Sequence, residues 1–284
     1  MAVKFKRPLL VVNSVAPGRT ATIRVPSDPR YYKFVLHVSA TGQVANQIID
    51  KIRLKVGTKV QRVFTPDELD TEMLLLGEDG STRFGIQNNV AGEQIDIPIW
   101  LTEPWRKGYV AQGAGAWGTG DVPDGGFVIE VDIAAAADAS VDMSATALYD
   151  NPTDDKGVPL AMGFISKWYE DDIPVTGLIA THNGLEKVDD LQSITLHDGD
   201  ITKVEFIVGD VVIREVNTQE NESDLVGYGM TPQTDKFHLV FDDDDDLRSA
   251  VPLGGRKNVY LRITTSDATP RNIRAVIQRL GRRD

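Results

Sequence analysis

The sequence predicts an all-β chain made of two similar halves, each interrupted by one short helix. Three observations carry this reading. Short segments alternate apolar and polar residues with period two, the mark of a strand with one face on a core. Clusters of Gly, Pro, Asn and Asp separate those segments at close intervals. One hairpin-plus-helix pattern occurs twice, in the same order.

Taken along the chain, Ala21, Ile23 and Val25 alternate with Thr22 and Arg24, after a turn at Val15-Ala-Pro-Gly18. Ile52, Leu54 and Val56 repeat the alternation, as do Ile95, Ile97, Ile99 and Leu101, and then Val141, Met143, Ala145 and Ala147. In the second half Phe237, Leu239 and Phe241, then Val259, Leu261 and Ile263, read the same way. The helix begins at Thr65-Pro66-Asp67-Glu68, a capping box with proline at the first helical position. Leu69, Met73 and Leu76 follow at helical spacing, and Gly77 stops it.

The repeat is the most informative feature. Ile49 to Val60 lies on Ile201 to Val212 at a constant offset of 152, pairing Lys51 with Lys203, Gly57 with Gly209 and Arg62 with Arg214. The register continues through Glu68 with Glu220 and Gly77 with Gly229, so the helix recurs. A second match, at an offset of 130, joins Val131 and Ile133 to Leu261 and Ile263, and Met143 and Ala145 to Ile273 and Ala275. Asp150 to Pro159 mixes proline, glycine and charge without an apolar period and reads as a connector. The expected organisation is therefore a first domain over 1–150, a linker over 151–159 and a second domain over 160–284. Domains of about 120 to 150 residues with eight strands have the size of a jelly roll. The fold class expected is two tandem eight-stranded jelly rolls, each with a short helix after a mid-domain hairpin.

Composition narrows the function classes. The 284 residues hold no cysteine, which excludes a disulfide framework, a thiolate metal site and a cysteine nucleophile. A formal charge of −12 argues against a nucleic-acid binder with a globally basic surface. No apolar run approaches the roughly 20 residues of a membrane span, and the basic start before Leu9 leads to no convincing signal peptide. The charge is uneven. Lys4, Lys6 and Arg7 give +3, the last fourteen residues give +4, and the body between them carries −19.

Tandem jelly rolls with a helix after the mid-domain hairpin resemble the double jelly-roll major capsid proteins of the adenovirus, tectivirus and corticovirus lineage. The corticovirus-like proteins of bacterial, membrane-containing viruses are most similar in size. The resemblance rests on Leu9 to Pro26, on the hairpin Ile49 to Val60 and on the stretch Trp168 to Val175. It implies a virion protein made in the host cytoplasm, with no enzymatic role. Homotrimers of pseudo-hexagonal outline would tile icosahedral facets over an inner membrane, beside partners such as a vertex penton. It further implies that both termini face inward, so Lys4, Lys6, Arg7, Arg279, Arg282 and Arg283 would face the membrane. The short loops lack the tower-like insertions of larger relatives.

Gly113 to Gly118 satisfies the G-x-G-x-x-G string, but no helix start follows it, so the glycine-rich stretch 108–126 reads as a loop at a subunit contact. Trp105 and Trp117 are its aromatic anchors in that reading. The histidines His37, His182, His197 and His238 form no H-x-x-x-H pair, and His37 and His197 read as one strand position retained on duplication. Asp242, Asp243, Asp244, Asp245 and Asp246 read as a solvated acidic loop or a contact for a hard cation such as calcium, without the D-x-D-x-D-G spacing of a calcium loop. No other cofactor is expected. The rival readings are a carbohydrate-binding or glycan-processing double β-sandwich, disfavoured by only 7% aromatics, and another virion structural component.

Overall fold

The computed structural model describes residues 4–77, 83–106, 113, 115–242 and 247–283. The chain divides into two compact units, one of Met1–Leu74, Ser81–Lys167 and Arg282–Asp284, the other of Leu75–Gly80 and Trp168–Gly281.

The first unit contains β1 (Phe5–Leu10), β2 (Val12–Asn13), β3 (Thr20–Val25), β4 (Arg30–Ser39), α1 (Ala45–Ile48), β5 (Ile49–Val56), β6 (Lys59–Phe64) and α2 (Pro66–Leu75). It continues with β7 (Ile95–Trp100), β8 (Trp117–Gly118), β9 (Phe127–Ile133) and β10 (Asp142–Asp150). Strand β11 (Phe164–Val175) begins in this unit and runs on into the second. There follow β12 (Ile179–His182), β13 (Asp190–His197), β14 (Ile201–Val208), β15 (Val211–Asn217), α3 (Thr218–Gly227), β16 (Phe237–Val240), β17 (Val251–Pro252), β18 (Val259–Thr265) and β19 (Arg271–Arg282).

Sheet order shows the repeat. In the first unit β1-β10-β4-β7 forms one sheet and β3-β9-β5-β6 the other. In the second unit the same places are held by β11-β19-β13-β16 and by β12-β18-β14-β15. Each unit is thus a jelly roll of eight main strands, with β2, β8 and β17 as short additions. The two offsets read from the sequence fall on equivalent strands: 152 carries the β5–β6 hairpin onto β14–β15, and 130 carries β9 and β10 onto β18 and β19.

Alternation places the cores. Phe34, Leu36 and Val38 of β4 and Ile95, Ile97 and Ile99 of β7 are buried, as are Ile52 and Leu54 of β5 and Ile129 and Val131 of β9. In the second unit Ile194, Leu196, Leu239, Ile273 and Ile277 pack in one cluster with Val204, Phe206, Leu261 and Ile263. Each such side chain contributes about 1.5–3 kcal/mol of burial.

Local chemistry fixes the hairpin and helix in both units. Gly57 and Gly209 both take positive φ, 62° and 59°, and Asp210 follows at 66°, the pair of positive φ values that a type I′ turn requires. After the first hairpin, Thr65 Oγ1 accepts from the Glu68 amide at 3.2 Å while the Thr65 amide donates to Glu68 Oε2 at 2.7 Å. After the second, Asn217 Oδ1 accepts from the Glu220 amide at 2.9 Å, and the Asn217 amide donates back to Glu220 Oε2. The capping box read at Thr65 recurs at Asn217 with its serine-type hydroxyl replaced by an amide.

Candidate functional site

Basic side chains from both ends of the described chain lie on the first unit. Strand β1 sets Phe5 opposite Tyr149, and the next residue of β10, Asp150, opposes Arg30. Lys4 Nζ sits 4.1 Å from the centre of the Tyr32 ring, and Tyr32 donates its hydroxyl to Asp150 Oδ2 at 2.8 Å. Arg30 binds the same carboxylate at 2.7 Å, and that bond to Asp150 holds its guanidinium above its ordinary pKa. Arg30 also opposes Gly118, which leads to Asp121, and Asp121 Oδ2 lies 2.9 Å from Arg283 Nη2. Arg282 stacks 5.8 Å over Phe164. Lys4, Arg282 and Arg283 therefore all belong to the first unit. Lys6 and Arg7 are exposed farther along β1. The Lys33 ammonium is pushed below its ordinary pKa by burial first and by the charge of Lys6 second.

Arg279 does not join them. It is only 2% exposed, its Nη1 is 2.8 Å from Glu186 Oε2, and its guanidinium lies 5.0 Å from the Tyr169 ring. An ion partner and an aromatic face hold it inside the second unit, so the sequence-based placement on a membrane-facing surface is corrected. Trp117 is corrected likewise. Its side chain is 0% exposed, packed at 5.3 Å on Phe127 and under the Arg62 guanidinium at 5.5 Å. A residue so enclosed anchors its own core, whereas Trp105 is half-buried, edge-on to Phe84 at 5.9 Å.

Two glycines of the stretch, Gly118 and Gly120, have a packing reason. A Cβ on Gly118 would stand 2.5 Å from the Leu160 carbonyl oxygen and 2.6 Å from that of Ala161, and one on Gly120 would strike Pro159. Asp242 is buried and accepts from Gln192 Nε2 at 3.3 Å, while Asp243, Asp244, Asp245 and Asp246 lie outside the described residues. Among the described residues no three His, Asp or Glu side chains form a metal-holding group. His37 and His197 do fall on equivalent strands, β4 and β13; His37 Nδ1 lies 2.7 Å from Asp96 Oδ1.

Arg62 was visible only as a repeat partner of Arg214, yet it organises the first unit. It is 3% exposed, donates through Nε to the Ser166 carbonyl at 2.6 Å and through Nη1 to the Trp100 carbonyl at the end of β7. Burial pushes its pKa down to about 9, with the charge of Glu103 opposing. Arg214 repeats the second bond, donating through Nη1 to the Val240 carbonyl at the end of β16.

Residues 6–150 match the family described as viral coat protein P2 N-terminal domain, and residues 174–282 match viral coat protein P2 C-terminal domain. The chain belongs to the viral coat protein P2 family. None of the curated proteins matches it. Among solved structures it is similar to the major capsid protein P2 from bacteriophage PM2, with a TM-score of 0.84 and 18% identity over 99% of this chain and 98% of that one. It is also similar to the STIV major capsid protein, at 0.70 and 10% over 98% and 96%. The PBCV-1 virus capsid follows at 0.69 and 10% over 99% and 94%. At these identities the likenesses establish the double jelly-roll fold. Family membership makes the chain a viral coat protein, a structural component of the virion shell.

Proposed function

We propose that three copies of this coat protein form a capsomer of pseudo-sixfold outline, and that such capsomers tile an icosahedral shell over an internal membrane. The observation that supports this is the strand-for-strand repeat between the two units. Three chains, each carrying two equivalent jelly rolls, supply six similar wedges, which is the outline that flat facets need. Another coat protein would fill the fivefold vertices, where this outline does not fit. The role is one of self-assembly without catalysis, through burial of lateral surface.

The placement of Lys4, Arg282 and Arg283 on the first unit supports an inward, membrane-facing surface there. Each such cation near an anionic bilayer contributes about 1 kcal/mol, weak alone and strong when a closed lattice repeats it. Light scattering on the purified chain tests the capsomer: the expected mass is three times 31.2 kDa, and a monomer at micromolar concentration overturns it. Flotation with anionic liposomes tests the surface. Binding should fall at high salt and in a Lys4→Gln, Arg282→Gln, Arg283→Gln variant; unchanged flotation of that variant rejects the membrane role.

A further inference from the structure

Strand β15 ends its sheet, and it does so with apolar side chains in water: Val211 is 60%, Val212 44% and Ile213 48% exposed. An open edge with a run of β-branched residues is a template for another strand. The internal repeat says what covers it. Strand β6 holds the same place in the first unit, and there the start of β11 lies beside it. The residues equivalent to Ile213 and Arg214 are Gln61 and Arg62, which are 0% and 3% exposed, and Arg62 Nε reaches the Ser166 carbonyl on that covering segment. Strand β11 is the first strand of its jelly roll, beside β19, just as β1 is the first of the other, beside β10. Among the described residues β1 has β10 as its sole sheet neighbour.

We infer that β15 of one copy docks along β1 of a second copy, repeating between chains the neighbourhood that β6 and the start of β11 form within one. Charge favours the pairing. Asp210 and Glu215 flank the apolar run of β15 and are exposed, Glu215 also pairing with Lys203 of β14, while β1 presents exposed Lys6 and Arg7, and Val11 just beyond it is 78% exposed. Pro8 offers no amide hydrogen, so the join depends on apolar burial and charge beside a shortened ladder. This rests on the capsomer reading, and it assigns Lys6 and Arg7 to the neighbouring chain rather than to lipid.

The native chain has no cysteine, which makes the test direct. A Val212→Cys chain and an Arg7→Cys chain are mixed, co-assembled and oxidised with copper phenanthroline. The expected result is a covalent pair in the mixture at a yield at least about tenfold above either variant alone; an equal or absent yield, with the wild-type chain trimeric, overturns the inference. Ile213→Lys should raise the trimer dissociation constant at least about tenfold. Ile179→Lys, at the opposite edge of the same sheet and 62% exposed, should leave it unchanged. An Ile213→Lys chain that keeps wild-type circular dichroism and stays fully trimeric rejects the β15 contact. A monomeric wild-type chain would instead reject the capsomer reading itself.

Discussion

Replacing Arg62 by Met separates the two halves of the repeat energetically. Arg62 is enclosed and donates to two main-chain carbonyls, those of Ser166 and Trp100, while stacking on Trp117. Removing the guanidinium leaves the Ser166 carbonyl buried without its donor, at about 1–3 kcal/mol, and costs about 1 kcal/mol more at the part-buried Trp100 carbonyl. Part of that is offset, because burying the charge is itself unfavourable, as the depression of its pKa to about 9 records. A net loss of about 3 kcal/mol follows. Arg214→Met removes the corresponding bond to the Val240 carbonyl at a half-exposed position, where water replaces the donor, and costs about 1 kcal/mol. In thermal unfolding of a chain this size, the Arg62 variant should melt about 6–12 °C lower and the Arg214 variant about 2–4 °C lower. Equal shifts, or an Arg62→Met protein as stable as wild type, would refute the assignment of Arg62 as the buried tie.

Three further outcomes follow from the same structure. Thr65→Ala and Asn217→Ala should each cost about 1 kcal/mol in urea unfolding, because each removes the acceptor for the third helical amide; no loss at either would reject the shared capping box. His238, whose pKa burial first and the charges of His197 and Lys236 next depress from 6.5 to about 3, stays neutral when folded, so the unfolded chain takes up the extra proton. Stability should fall as pH drops below about 6.5, and urea midpoints at pH 7.5 and 5 should differ less in His238→Gln; an unchanged difference would count against it. Gly118→Ala should cost more than about 2 kcal/mol, since its Cβ meets two main-chain oxygens, whereas Gly177→Ala, with open space around it, should be neutral in the same assay.

The strand pattern was legible because period-two alternation is a direct consequence of one-sided burial. Ile23, Ile52, Ile97 and Ile263 are all buried where the alternation puts them. The duplication was legible because Gly57 and Gly209 both supply a positive φ at the start of a hairpin turn and Glu68 and Glu220 the same helix start. What the sequence did not reveal depends on contacts distant along the chain. Arg279 looks like a basic tail residue until Glu186 and Tyr169 close on it. Trp117 sits in a glycine-rich stretch that reads as a loop at a subunit contact, and only the approach of residues 159–161 shows that Gly118 and Gly120 exist for packing. The exposed run Val211 to Ile213 continues the hydrophobic pattern of a buried strand, so its sequence alone does not separate a core edge from an interface.

Whether one chain with two equivalent jelly rolls forms the repeating wall of an icosahedral shell is tested by cryo-microscopy of particles containing it. Pseudo-hexagonal capsomers of three chains each, with β15 of every chain against β1 of the next, are the expected result. Capsomers of six chains, or particles in which this chain lies outside the shell, would contradict it.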